Sequence, residues 1–172
     1  MTLKRFLGAL LGAMLVMCVG APDGAGTAVA AGTAWPIRPS ADKRSFVDAK
    51  GVPVLLVGDT AWSLIVELSD ADTLRYLDDR KARGVNLILV NLIEHQFSSH
   101  QPPWRTAKGV LPFSNVNDFS TLAKAYLDRV EWVVKAAANR GIGVLLVPAY
   151  VGIGCGGQGW CAEMRANGPA RL

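Results

Sequence analysis

Asp59, Trp62, Glu94 and His95 share a placing that suggests chemistry: each follows closely on a run of apolar residues. Asp59 comes after Val54-Leu55-Leu56-Val57-Gly58, and Glu94-His95 come after Val85-Asn86-Leu87-Ile88-Leu89-Val90. At the end of a strand, an aspartate accepts hydrogen bonds from substrate hydroxyls or orients another group. It also caps turns, and both roles are open for Asp59. Trp62 offers a flat face to the apolar side of a sugar ring or, alternatively, packs into the core. Glu94 has the type of a general acid or base, and His95 that of a donor or proton carrier. Adjacent residues of an extended chain point to opposite faces, so only one of these two is expected to face a site. A metal site at Glu94, His95 and His100 matches no familiar ligand spacing. There is no G-x-S-x-G nucleophile elbow. The charge run Asp78, Asp79, Arg80, Lys81 and Arg83 reads as a solvated helix face.

The elements that must position these residues alternate. Ser45–Val47 and Val52–Val54 flank Asp48-Ala49-Lys50-Gly51 as a small hairpin. Val54–Gly58 then predicts a first strand buried on both faces, as parallel strands are. Ser69-Asp70-Ala71-Asp72 has the form of a capping box, opening a helix that stops at Gly84. A second strand follows over 85–90. The long segment from about Gln96 to Asp118, with Pro102, Pro103, Trp104 and Phe113, reads as a functional loop. A second helix is predicted over 121–139 from the spacing of Leu122, Tyr126, Val130, Val133 and Ala137. A third strand, Ile142–Val147, ends in Pro148-Ala149-Tyr150, and a short helix is expected around 162–165. Strand and helix alternating in this way imply an α/β fold with a parallel sheet. The first strand end lacks the G-x-G-x-x-G spacing of a dinucleotide site, and the bulky Trp62 would block a pyrophosphate. The expected fold is therefore the N-terminal part of a (β/α)8 barrel, about three βα units preceded by a small hairpin, with chemistry at the carboxyl ends of the strands.

Lys4 and Arg5, the apolar stretch Phe6–Val19 and the small residues up to Ala28-Val29-Ala30 have the order of a secretory signal peptide. The stretch is shorter than the roughly 20 residues that span a bilayer. The expected organisation is signal peptide 1–30, linker 31–43 and catalytic-type domain 44–172, with secretion or export to a bacterial periplasm and no stable membrane association. Cleavage after Ala30 removes two basic residues and one acidic residue, so the formal net charge of +4 falls by one. That mild basicity, without a Lys/Arg stripe interleaved with aromatics, excludes a nucleic-acid partner. In an oxidising compartment Cys155 and Cys161 either pair as a disulfide or stay free; a metal site needs more ligands than they provide. No cofactor is implied.

Several segments in this order carry a family resemblance: Val52–Trp62 with its Gly58-Asp59-Thr60-Ala61-Trp62, Tyr76–Arg80 with Gly84-Val85-Asn86, Leu111-Pro112-Phe113, Tyr126–Trp132, and Gly141–Pro148. Together they resemble the apiosidase-like glycoside hydrolases over about residues 44–169. The resemblance implies a secreted bacterial (β/α)8-barrel enzyme that cleaves glycosidic bonds of plant-type or other complex polysaccharides by two carboxyl groups. It implies a substrate-binding surface of Asp59, Trp62, Glu94, His95 and Tyr150, with Asn91 a weaker member, and an oligosaccharide or polysaccharide partner. Such carboxylates come from later strands of the barrel, and a complete barrel takes about 250 residues. The catalytic acids are therefore expected beyond residue 172, and the chain is expected to be an inactive N-terminal fragment. Two alternatives are a non-catalytic carbohydrate-binding protein and a small enzyme with Asp59 and Glu94 as its acid pair.

Overall fold

The computed structural model describes residues 32–100, 102, 104–115 and 118–167; the expected signal peptide, residues 1–30, lies outside them. The described chain forms two three-stranded sheets. The first is antiparallel, in the order β1 (Arg38–Pro39), β2 (Phe46–Val47) and β3 (Pro53–Val54). β2 and β3 are the expected hairpin. Its turn is made by the buried Asp48 carboxylate, which accepts the N–H groups of Lys50 and Val52 at 2.9 Å each. β1 is an addition, because composition alone marks this stretch as a linker. Residues 32–43 are in fact stitched to the fold: Ala34 N–H donates to Asp48 at 3.3 Å, and the Trp35 indole N–H donates to the Gly141 carbonyl at 3.2 Å.

The second sheet is parallel, in the order β4 (Gly58–Thr60), β5 (Leu87–Asn91) and β6 (Gly143–Val147). Its register sets Asp59 beside Ile88 and Ile88 beside Val144. Four helices accompany it: α1 (Leu64–Glu67), α2 (Asp70–Ala82), α3 (Lys124–Ala138) and α4 (Cys161–Asn167). α2 begins where the capping box predicts: Ser69 Oγ accepts Asp72 N–H at 3.1 Å and donates to its carboxylate at 2.7 Å. It ends before Gly84, whose φ of +78° only glycine adopts freely. α1 has no sequence signature, since one turn is too short for a helical period to show. Among the described residues no helix is long and apolar enough to cross a membrane.

The run Val54–Gly58 is not the doubly buried strand that its composition suggests. Val54 closes β3, Leu55 is 81 % exposed, Val57 is exposed too, and parallel pairing starts only at Gly58. The reason is that helices cover one face of the parallel sheet. Ile88 and Val90 point into that covered face and pack with Leu64 and Ile65 of α1, Leu77 of α2 and Val133 of α3. Each such side chain stabilises the fold by roughly 1.5–3 kcal/mol when fully buried. The opposite parity, Thr60, Leu89 and Leu145 in register, is less covered among the described residues: Thr60 is exposed and Leu145 is 53 % exposed.

Arg129 of α3 locks α1 in place. Its guanidinium donates to the carbonyls of Ile65 and Leu68 at 3.3 and 2.9 Å, to Asp70 at 2.9 Å and to Thr73 Oγ1 at 2.9 Å, and lies over the Trp132 ring. Carbonyls that a one-turn helix leaves unpaired are thereby satisfied.

At the amino end of β6, Trp35 lies so close to Gly143 that an added Cβ would sit 2.1 Å from its ring. Gly143→Ala is therefore expected to destabilise the protein by about 1–3 kcal/mol in urea unfolding. The loss should largely vanish in a Trp35→Ala background; an equal loss there would show that Trp35 is not the obstacle.

Candidate functional site at the carboxyl ends of the parallel strands

Parallel pairing sends all three strands out at one side, and each is followed by an aromatic residue: Trp62 after β4, Phe97 after β5 and Tyr150 after β6. The three rings meet. Trp62 stacks on Tyr150 at 5.9 Å between centroids and 30° between planes, and Phe97 lies 5.9 Å from Trp62 and 5.8 Å from Tyr150. Trp62 is 41 % exposed and Phe97 46 %, so the cluster is a surface and not part of the core. Beside it runs a groove of about 480 Å³ lined by Thr60, Trp62, Ser63, Glu67, Leu68 and Tyr76, within the range of small-molecule clefts.

Glu94 is only 1 % exposed. One carboxylate oxygen accepts the His95 backbone N–H at 2.9 Å; the other accepts Ser63 Oγ–H at 2.7 Å and, more distantly, the Asn91 amide at 3.4 Å. Its charge, together with burial, pushes the Tyr126 phenol well above its ordinary range, burial being the larger cause. The His95 ring is also buried, its Nε2 2.9 Å from Glu163 Oε1 and its edge against Trp160 at 4.8 Å. Burial pushes the Glu163 carboxyl up, but the hydrogen bonds to the His95 ring and to its own backbone N–H outweigh it and leave the group below its usual range. Strand alternation predicts that only one of Glu94 and His95 turns inward, yet both do. β5 ends at Asn91, so residues 92–95 no longer alternate across a sheet.

Asp59 is elsewhere. Its place beside Ile88 puts its side chain on the helix-covered face of β4, where it accepts the Tyr76 hydroxyl at 3.0 Å, Arg80 Nη1 at 2.8 Å and the Thr60 N–H at 2.8 Å. Partial burial raises its carboxyl, but these three hydrogen bonds prevail and hold it below the usual carboxylate range. The structure thus brings Trp62, Glu94, His95 and Tyr150 to the strand ends and assigns Asp59 to the strand–helix interface. Arg80, expected on a solvated face, is its ion-pair partner there.

Phe97, Ser63, Trp160 and Glu163 join the site without having been singled out in the sequence. For Phe97 a signal existed, since an aromatic residue follows every one of the three parallel strands. Ser63, Trp160 and Glu163 have none, because their partners are 31 and 68 residues away or reached only through a folded loop. That loop is closed by a disulfide between Cys155 and Cys161, with Cα atoms 5.1 Å apart, and by Trp160 N–H donating to the Tyr150 carbonyl at 2.9 Å. Among the described residues, no group of three or more His, Cys, Asp or Glu side chains is arranged to hold a metal. The site can seat a flat, C–H-rich ring against aromatic faces, with one buried carboxylate behind them.

A model of the apiosidase-like catalytic-domain family matches residues 40–170. The chain belongs to that family. No curated protein matches the chain. Two solved structures share its fold, each at 23 % identity: one described as a glycoside hydrolase, with a TM-score of 0.54, and a glycoside hydrolase family 5 protein from Bacteroides vulgatus ATCC 8482, with a TM-score of 0.55. Each alignment covers 64 % of this chain and 24 % of the other, so the chain spans about a quarter of the length of these structural relatives.

Because the folded-state carboxyl of Asp59 lies below its unfolded value, its contribution to stability is present above about pH 4 and lost as the pH falls through the lowered value. Asp59→Asn is expected to cost about 1–3 kcal/mol at neutral pH, and the gap to wild type should close in acid. Urea unfolding across the pH range measures it; a gap that stays constant would mean the ionised carboxylate is not what matters.

Proposed function

We propose that residues 44–172 form the first three βα units of a (β/α)8-barrel glycoside hydrolase of the apiosidase-like family, exported by a signal peptide at residues 1–30 to the periplasm or medium and acting on plant-type polysaccharides. In this reading Trp62, Phe97 and Tyr150 seat a sugar ring, and Glu94 and His95 shape the floor behind them. The single observation that carries it is the aromatic cluster built from the residues following three consecutive parallel strands. Barrel enzymes bind substrate at that end of the strands, and stacked aromatic rings there complement the apolar face of a sugar. Support for a partial barrel comes from the quarter-length match to the structural relatives and from the less covered parity of the sheet around Leu145.

Glycoside hydrolysis needs two carboxyl groups flanking one bond. Glu94 has both oxygens engaged by Ser63 and His95, and Asp59 is tied to Tyr76 and Arg80 on the helix side. The two do not make an acid pair, so in this reading neither cleaves, and these three strands hydrolyse no glycoside by themselves. A second reading, a non-catalytic carbohydrate-binding protein, draws on the same exposed rings.

The purified 172-residue product is expected to show no turnover of aryl glycosides or pectic oligosaccharides, while immobilised plant polysaccharide retains it; Trp62→Ala should weaken retention about tenfold. Turnover abolished by Glu94→Ala would overturn the inactive reading. Intact mass of the exported protein should correspond to a chain beginning at Ala31; an uncleaved amino terminus in the membrane fraction would reject the export assignment.

A further inference from the structure

One ring of the aromatic cluster sits on a segment with no regular structure. Trp62 leads directly into α1, and Tyr150 is three residues beyond β6, but Phe97 lies in the loop after β5, six residues past its end. Nearly half exposed, it has little core contact of its own to fix it. What flanks it is unusually well tied. Glu67, the last residue of α1, accepts Ser98 Oγ–H at 2.8 Å, the Ser99 backbone N–H at 2.9 Å and the Ser99 hydroxyl. Ser98 Oγ in turn accepts the His100 N–H at 3.2 Å. On the same side, the Phe97 carbonyl itself faces Ser63 Oγ at 3.3 Å, the same hydroxyl that serves Glu94. Ser63 and Glu67 are four residues apart, which puts them on one face of a single helical turn.

We propose that Glu67 is a positioning residue: with Ser63, it makes α1 a clasp on the loop 97–99 that holds the Phe97 ring against Trp62 and Tyr150, and so sets the affinity of this face for saccharides. The inference rests on the saccharide-binding reading given above. The chemistry is suited to the task. A carboxylate is an acceptor-only group with two oxygens, and it receives three donors from two consecutive serines, so the loop cannot shift without stranding several of them. The Ser99 hydroxyl, the largest contribution, holds the Glu67 carboxyl below its usual range against the opposing effect of burial, with the Ser99 N–H, Ser98 and the nearby His100 acting in the same direction as the hydroxyl. Arg129, anchored on the Ile65 and Leu68 carbonyls, keeps the clasp itself from moving.

The test has two readouts. In NMR spectra of the full chain, ring currents from Trp62 and Tyr150 should displace the Phe97 ring protons from their free positions. Glu67→Ala should return them most of the way, leaving those of Phe113 and Phe119 unchanged, and Glu67→Gln should restore part of the displacement. Separately, in binding to a soluble pectic oligosaccharide, Glu67→Ala and Phe97→Ala should each weaken affinity about three- to tenfold, the range expected for loss of one aromatic contact. In the Phe97→Ala background Glu67→Ala should add nothing, since it acts through that ring. Ser98→Ala combined with Ser99→Ala removes the same bonds from the loop side and serves if Glu67→Ala does not fold. Unchanged Phe97 shifts in either variant, or additive losses in the double variant, would overturn the clasp. Wild-type chain that binds no oligosaccharide but shows the Phe97 shift response would reject the saccharide reading and leave the positioning role standing.

Discussion

Everything at the candidate site depends on the parallel hydrogen-bond ladder that aligns Gly58, Leu87 and Gly143 as one row. A parallel ladder has a direction. It forces three segments that are far apart in sequence to leave the sheet from the same edge and at nearly the same height. Trp62, Phe97 and Tyr150 have no covalent reason to meet; they meet because their strands start level and run the same way. An antiparallel arrangement would have sent the segment after β5 to the other end of the sheet. The ladder continues into the loops: Asn91 N–H reaches the Trp62 carbonyl at 3.0 Å, and Leu92 N–H reaches the Val147 carbonyl at 2.8 Å. The alignment therefore persists to the residues that carry the rings.

Around that ladder, polar groups do work that apolar packing alone leaves undone. A carboxylate as buried as Glu94 is costly unless hydrogen-bonded, and Ser63, the His95 N–H and Asn91 supply the bonds. Arg129 closes α1, and the Asp59–Tyr76–Arg80 set pins α2 to the edge strand. Each of these joins one helix to something other than its nearest neighbour in sequence. The aliphatic core sets which layers touch, and these polar sets fix how they are offset.

Much of the frame was legible in the sequence because its signals are local. The capping serine of α2, the glycine that ends it, and the hairpin turn at Asp48 act within a few residues, and the structure has them where the sequence implies. The misreadings come from facts that local composition does not record. Apolar composition at Val54–Gly58 records what a residue would bury if covered; it does not record whether a cover is there, and Leu55 has none. The parity of Asp59 depended on where β4 begins, and a start at Gly58 with Asp59 beside Ile88 turns its side chain to the helices. Glu94 and His95 escaped alternation because β5 stops at Asn91. Trp35 and β1 were hidden in a stretch whose composition says linker, since their partners, Gly141, Gly143 and β2, lie elsewhere in the chain. Of the site residues not singled out in the sequence, Phe97 alone had a readable sign, an aromatic after each parallel strand, and that sign appears only when the three strand ends are compared.

The ties that assemble this face are long in sequence: Ser63 to Glu94 and Glu67 to Ser98 each span 31 residues, and His95 to Glu163 spans 68. Chain-closure entropy makes such contacts late arrivals in folding. During synthesis Trp62 and Glu67 emerge well before the residues they will hold, and the stacked pair of Trp62 and Tyr150 cannot exist until β6 has paired. The face that reads as functional is thus finished late, and for the interval before that its aromatic rings are bare to whatever else the nascent chain meets.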